Sequence, residues 1–480
     1  MKENIDLFLE YEKQNRLFER HYKDFYFWEY IRVDIIKNIR CLKGDISSCS
    51  KENRVSMSRI GVLKHALRIL WKNFIFYKNK KCKILITEEP NQYNAEGKFY
   101  ESMITTGVAD HYKEEALLLA RFVIKEDKKN FRYPDTYFMV IPALKMSIIN
   151  KFYRIFGMDK SIKREIRTEL DDIVEQIFRI THVQLDIDAI CNNAYNAYLT
   201  RKVYYTYYLK ILSKKNIDAV VEYCYYSFNN MILNEAAKSM GVPTIELQHG
   251  AMGPKHPAYN FLSNENINTF PDFIFVYSDF WKECTRFPLD NSHAIVTGSC
   301  DYDLKIKKYP KIKKTEKLEI LFIGQTNEFI FEAALKTCEY IKKHNLIQYS
   351  VCFRKHPREK VNYYEKYAET NKYLDILTIV SCDEEDVYYS LSRACAVVSM
   401  ASTVLYESVA YDLPIYIIKS ENTEAVWPLV EKGYAKILGT VDELFENTER
   451  NMNVDPRYFF MPNAVENVIR EIEHIRHNRS

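Results

Sequence analysis

Three short polar clusters stand directly after apolar runs: Gln248-His249-Gly250 after "TIEL", Arg354-Lys355-His356-Pro357 after "YSVCF", and Ser402-Thr403 after "CAVVSMA". Their residue types suit proton transfer and anion binding. An imidazole of near-neutral pKa at His249, with Gln248 beside it, can take a proton from an attacking hydroxyl, and Gly250 lets the backbone turn sharply or an acceptor come close. Lys255 and His256 add positive charge to the same loop. His356, with Lys355 and Arg354, makes a cationic group suited to a pyrophosphate, while Pro357, lacking an N–H, ends the strand pairing there. Ser402 and Thr403 can cap a helix whose first-turn N–H groups face an anion. Glu407, four residues after Thr403, lies on the same helix face, where its carboxylate can accept from the two hydroxyls of a ribose.

Each cluster alone also has an ordinary reading, since Ser and Thr are the usual helix caps and a lone histidine is more often structural. Position separates them from that reading. In open parallel sheets ligands bind beyond the carboxyl ends of the strands, and all three clusters fall at strand ends.

The elements that would hold them follow from periodicity. "IDAVVEYCYY", "NNMILNEAAKSMG" and "VPTIELQHG" read as a βαβ unit, and "FIFVYS" and "HAIVTG" continue the alternation. After a lysine-rich connector, "LEILFIG" ending at Gly324, "YSVCFRKHP", "LDILTIVS", "CAVVSM" and "LPIYII" alternate with helices as a second set. The expected fold is therefore α/β, with two doubly wound Rossmann-like domains facing a cleft and a helical elaboration at the N-terminus. Residues 1–305 would form the first domain, with a helical extension over about 1–82; residues 306–455 would form the second, nucleotide-binding domain; and residues 456–480 would form a helix packing back toward the first. The stretch 54–83 has nine Lys or Arg and no acidic residue, with Ile60, Leu63, Leu67, Leu70 and Phe74 at helical spacing. It reads either as a membrane-surface helix or as a helix lying on its own domain with a solvated basic face.

Bulk properties exclude more than they assign. The net charge of +3 over 480 residues gives no bulk electrostatic footprint for nucleic acid. Eleven scattered cysteines, without a C-x-x-C pair, read as thiols in a reducing compartment and not as a zinc site. No stretch has the length of apolar sequence that a spanning helix needs, so the expected location is cytoplasmic, with peripheral contact at the inner face of the membrane. Asp301-Tyr302-Asp303 has the D-x-D spacing of a metal-dependent transferase but reads better as structural, and "CDEED" at 382–386 reads as acidic capping of the next helix.

The succession Q-H-G at 248–250, K-H-P at 355–357 and S-T-x-L-Y-E-S at 402–408 resembles bacterial surface-polysaccharide transferases of the GT-B fold: capsule biosynthesis proteins, CMP-sugar sialyl and Kdo transferases, and teichoic-acid glycerophosphotransferases. The resemblance covers roughly residues 217–425. It implies that His356, Ser402 and Thr403 bind the donor phosphate and that His249 is a base. The sialyl families instead place an acidic pair before a glycine, matched here by Glu88-Glu89-Pro90 or Glu96-Gly97, so the base stays open between His249 and a glutamate such as Glu89. The implied activity is metal-independent, inverting transfer of a sugar, from a CMP-sugar by preference, to a glycan or lipid-linked acceptor, with no cofactor. The alternatives are a CDP-polyol phosphotransferase, a nucleotide-sugar epimerase, which needs acids around the sugar that the sequence does not reveal, and a non-catalytic subunit of a capsule complex.

Overall fold

The computed structural model describes residues 4–40, 64, 66–74, 82–89, 92–94, 98–121, 131–254, 256–262, 267–312, 316–325, 328–356, 359, 361–420, 423–446 and 455–478. Lys255, Pro357, Pro90, Glu96, Gly97 and most of 54–83 lie outside these residues. The chain forms two compact units: Met1–Asn91, Glu101–Gly298 and Asn463–Ser480 in the first, Gln92–Tyr100 and Ser299–Pro462 in the second.

In chain order the strands are β1 (Ile84–Thr87), β2 (Gln92–Asn94), β3 (Phe99–Glu101), β4 (Ala116–Ala120), β5 (Tyr137–Phe138), β6 (Ala219–Glu222), β7 (Thr244–Leu247), β8 (Phe273–Val276), β9 (Ala294–Val296), β10 (Leu318–Ile323), β11 (Tyr349–Arg354), β12 (Leu377–Val380), β13 (Ala394–Ser399), β14 (Ile415–Ile417) and β15 (Ala435–Ile437). The first unit holds a seven-stranded parallel sheet in the order β5-β4-β1-β6-β7-β8-β9. The second holds a six-stranded parallel sheet in the order β12-β11-β10-β13-β14-β15. Strands β2 and β3 make a separate two-stranded sheet.

Both large sheets start at the centre, add two strands on one side and then reverse. The winding therefore switches between β1 and β6 in the first unit and between β10 and β13 in the second, and a crevice opens at such points beyond the strand ends. Two Rossmann-like domains in tandem with helices at the N-terminus is the GT-B organisation expected from the sequence.

Strands β1, β4, β6 and β7 are buried along their whole length, which is why they read as continuous apolar runs. Glu222 and Glu246 break that rule. They are register partners across β6 and β7, and both are 0% exposed.

The region 130–220, which periodicity alone leaves unresolved, forms three helices, Val140–Ile155, Met158–Thr181 and Ile187–Lys215. The last is capped by Asp186, which accepts from Ala189 N at 3.0 Å, and it ends at Asn216 in the left-handed conformation. The closing helix Ala464–His477 belongs to the first unit, where Arg476 pairs with Asp218 at 2.9 Å and Tyr112 donates to Glu473 at 2.7 Å. Asp301 and Asp303 lie in the first turn of the helix Cys300–Lys308, and Asp303 pairs with Lys307 at 3.0 Å. Asp386, from "CDEED", caps the helix Val387–Arg393 by accepting from Tyr388 N at 3.0 Å. All cysteines among the described residues are free thiols.

Candidate functional site

In the first unit the polar groups collect at the carboxyl ends of β1, β6 and β7. His249 stands two residues past β7, with 20% of its side chain exposed. Its Nδ1 lies 3.6 Å from Glu246 Oε1, a Coulomb contact longer than a hydrogen bond, and its Nε2 lies 3.2 Å from the Tyr226 hydroxyl. Tyr223, Tyr226 and Tyr259 surround the ring at centroid distances of 6.2, 5.8 and 6.2 Å. Glu246 Oε1 accepts from the Tyr259 hydroxyl at 2.5 Å and from Tyr225 N at 3.2 Å, which fixes the carboxylate behind the imidazole.

Burial alone would push the His249 imidazole down, but hydrogen bonding and charge from Cys224 and Glu246 outweigh it and raise its pKa to about 9. At pH 7 only about 1 in 100 His249 side chains then holds the free base, so the near-neutral imidazole expected from the sequence is corrected to a carboxylate-backed imidazolium. His256 goes the other way. Burial and the positive charges of His249, Arg40 and Lys37 lower it to about 3, and its Nδ1 accepts from Ala258 N at 3.2 Å. It is a neutral ring spent on its own loop and adds no positive charge, contrary to expectation.

Three other sequence expectations change. Gln248 accepts from Tyr277 N and donates to Gly250 O, both at 2.8 Å, so it ties β7 to β8 and shapes the turn, and at 2% exposure it is closed to substrate. Gly250 meets nothing within 4 Å of an added Cβ and has no left-handed φ, so no steric or backbone demand requires glycine there. Glu89 pairs with Arg121 at 2.5 Å and is committed to an ion pair. Its neighbour Glu88 is buried, accepts from Ser102 N at 3.0 Å and the Thr105 hydroxyl at 2.5 Å, and is pushed by burial up to about 7.

The N-terminal helices, which sequence left without a role, clamp this loop. Arg32, on the helix Phe27–Arg40, is 2% exposed, pairs with buried Glu12 at 2.7 Å, and donates to Pro257 O at 3.1 Å and Asn260 O at 2.6 Å. Its guanidinium also lies 4.0 Å over the Phe261 ring. Cys224, just past β6, adopts φ 57, an unfavourable conformation for a residue with a Cβ, held by neighbouring contacts such as the 2.7 Å bond from Asn230 to Tyr223 O. Glu246, Tyr226, Tyr259 and Arg32 also belong to this site, although no motif in the sequence marks them. The readable signal was a glutamate inside each of two apolar strands, "AVVE" and "TIEL".

In the second unit the switch point between β10 and β13 brings together Gly324, Gln325, Ala401 and Ser402. An added Cβ at Gly324 would sit 2.8 Å from Arg354 O, so glycine is required there by the close approach of β11. With its amide oxygen turned toward β13, Gln325 accepts from Ala401 N at 3.1 Å and Ser402 N at 3.0 Å. Ser402 Oγ accepts from Val404 N at 3.3 Å, whereas the Thr403 side chain makes no capping bond. The α-helix that follows is Val404–Glu407, extended by the 3-10 turn Ser408–Tyr411, so an anion there would meet first-turn N–H groups with little α-helical dipole behind them.

Arg354 does not join a cationic pocket. It is 7% exposed and turned into the domain, donating to Ser390 Oγ at 3.2 Å and Glu385 O at 2.7 Å. Lys355 continues the strand through its N–H to Val380 O at 2.9 Å. His356 opens a turn in which its N–H donates to Glu359 Oε2 at 3.1 Å and its carbonyl accepts from Glu359 N at 2.8 Å. Glu407 is pushed by burial up to about 7 and is hydrogen-bonded to Tyr388, so its carboxyl is engaged by a tyrosine instead of standing free for a ribose.

No protein-family model matches the chain, and no curated protein matches it. Solved structures do. The chain is similar to the UDP-GlcNAc 2-epimerase of Methanocaldococcus jannaschii, at 12% identity and a TM-score of 0.48 over 82% of this chain and 99% of that one. The Neisseria meningitidis UDP-GlcNAc 2-epimerase bound to UDP-GlcNAc gives 12% and 0.47 over 82% of this chain and 100% of that one. Acinetobacter baumannii MurG gives 14% and 0.42 over 82% and 99%.

Proposed function

We propose that the chain is a glycosyltransferase that moves a sugar from a nucleotide-activated donor, by preference a CMP-sugar, to a hydroxyl of a surface-glycan or lipid-linked acceptor. One observation carries the reading: His249, at a strand end of the first unit, is backed by the buried Glu246 carboxylate and keeps part of its ring exposed. In its free-base form His249 takes the acceptor's proton while the acceptor oxygen bonds to the anomeric carbon. The bond from that carbon to the donor phosphate breaks, and its electron pair leaves with the phosphate. Glu246 stabilises the imidazolium that forms, as a carboxylate does behind a catalytic histidine.

In the second unit the backbone N–H groups of Ala401 and Ser402, with His356, take the donor phosphate. The Gln325 oxygen occupies those N–H groups in the manner of a phosphate oxygen, which supports an anion at that point. Because His249 is raised to about 9, kcat/KM rises with pH and levels off near that value.

A nucleotide-sugar epimerase is the second reading, favoured by Glu88, a buried acid raised to about 7 beyond β1. One experiment separates the two. The protein is incubated in D2O with CMP-, CDP-, UDP- and GDP-sugars, with and without a glycan acceptor, after nucleotide binding has been checked by thermal shift. Sugar transfer that depends on the acceptor and on His249 supports the transferase. Deuterium entering the donor sugar without acceptor supports the epimerase, and failure of every nucleotide to raise the melting temperature defeats both.

A further inference from the structure

The sequence leaves 54–83 open between a membrane-surface helix and a helix lying on its own domain, and the described stretch 66–74 is helical. Its inner face, Ala66, Ile69 and Leu70, packs against Phe138, Val140 and Leu144. Asn73 fastens it further, donating to Phe138 O at 2.7 Å and accepting from Phe138 N at 3.1 Å along the edge strand β5. Its outer face carries Leu67, Trp71 and Phe74, which are 56%, 68% and 60% exposed.

The neighbouring helix Val140–Ile155 repeats the pattern, although nothing in the sequence reading singled it out. One side packs on the helix Ile187–Lys215, where Asn150 accepts from the Tyr195 hydroxyl at 3.2 Å. The other side bears Ile141, Ile148, Phe152 and Ile155, which are 47%, 69%, 50% and 68% exposed. At about 100° per residue these four positions fall on one stripe. An apolar stripe open to water on each of two packed helices is unusual for a lone soluble chain. The charge is one-sided as well: residues 64–74 and 140–155 contain Lys64, Arg68, Lys72, Lys145, Lys151 and Arg154 and no Asp or Glu.

We propose that the helix pair 66–74 and Val140–Ile155 is a docking surface for an anionic lipid bilayer. The aromatic and branched side chains enter the headgroup boundary, and the exposed cations Lys64, Arg68, Lys145 and Lys151 meet lipid phosphates. No helix among the described residues is long and apolar enough to cross a membrane, so the contact is peripheral. It is independent of the catalytic reading, because the pair packs at the edge strand β5 whereas His249 follows β7, four strands away in the same sheet.

The test uses the full chain and two vesicle types, phosphatidylcholine alone and phosphatidylcholine with phosphatidylglycerol. The protein should sediment with the anionic vesicles at least about tenfold more tightly than with the neutral ones, and high salt should weaken that binding. Trp71 fluorescence should shift to the blue on binding, and Trp71→Phe should remove the shift. The triple variant Trp71→Ser, Phe152→Ser, Ile155→Ser should keep the wild-type melting temperature, since all three are exposed, and lose at least about tenfold in binding. Lys145→Glu and Lys151→Glu together should erase the preference for anionic vesicles. No sedimentation with either vesicle, unchanged binding by the serine variant, or a solution dimer that the serine variant dissociates would each overturn the proposal; the last would make a second copy the occupant.

Discussion

His249 and His356 look alike in the sequence: each follows a buried parallel strand and opens a turn. Their surroundings differ in what the end of the strand holds. Behind His249, the last polar residue of β7 is Glu246, fully buried and aimed at the imidazole, while an exposed edge of the ring is left over. Behind His356, Arg354 turns into the domain to hold Ser390 and Glu385, and the turn itself is closed by Glu359. The first strand end is organised around a titrating group; the second is organised around backbone donors. A polar cluster after a strand therefore indicates a site, while the buried residue just before it indicates which chemistry that site supports.

This contrast is open to several tests. The largest effect expected is on activity: His249→Ala should lower kcat/KM by about 10²–10⁴-fold, the usual contribution of a positioned base. His356→Ala should cost only about tenfold, the scale of one hydrogen bond, and should appear as a weaker donor KM. Equal losses from both would erase the distinction.

Stability should separate the same two regions in the opposite order. Gly324→Ala forces a Cβ against the Arg354 carbonyl and should cost about 1–3 kcal/mol in urea denaturation. Arg354→Met strands the Glu385 carbonyl and should cost about 1–3 kcal/mol while leaving nucleotide affinity unchanged. Gly250→Ala, beside His249, meets open space and should stay within about 0.5 kcal/mol of wild type.

The pH dependence follows from four raised groups, among them Glu29 of the helix Phe27–Arg40, which accepts from Thr269 N, and they outnumber the lowered His256, whose opposite effect subtracts from theirs below about pH 6.5. His249 moves from 6.5 to about 9, and Glu29, Glu88 and Glu407 each move from 4.5 to about 7. In all four the folded pKa lies above the unfolded one, so the protonated form favours folding. That stabilisation is complete below the unfolded pKa and is lost as pH rises through the folded pKa. The melting temperature should therefore fall between about pH 5 and pH 9, with the glutamates acting in the lower half and His249 in the upper half. A melting temperature that climbs across this range would contradict the assignment.

Much of the architecture was readable from periodicity, because buried parallel strands such as "ILIT", "AVVE" and "TIEL" are short apolar runs between helices. The strand ends were readable for the same reason. Side-chain direction was not. Nothing in "CFRKHP" indicates that Arg354 turns inward, because its partners Ser390 and Glu385 lie on another segment of the chain, whereas Glu359, which ties the turn at His356, stands in the same short stretch. The helical run after Thr403 ends at Asp412, in the left-handed conformation, but nothing in the sequence showed that its second half, Ser408–Tyr411, winds as a 3-10 turn. The clamp of Glu12 and Arg32 on the loop at 257–260 joins residues more than two hundred positions apart, and no local pattern encodes it.

The account depends most directly on the charge that Glu246 places behind His249. The measurement that tests this is an NMR titration of the His249 ring in the wild-type protein and in Glu246→Gln, which keeps the shape and the Tyr259 bond but removes the charge. The predicted result is a pKa of about 9 in the wild type that falls clearly in the variant, with Cys224 keeping its own share of the rise. A His249 pKa near 6.5 in both proteins would contradict it.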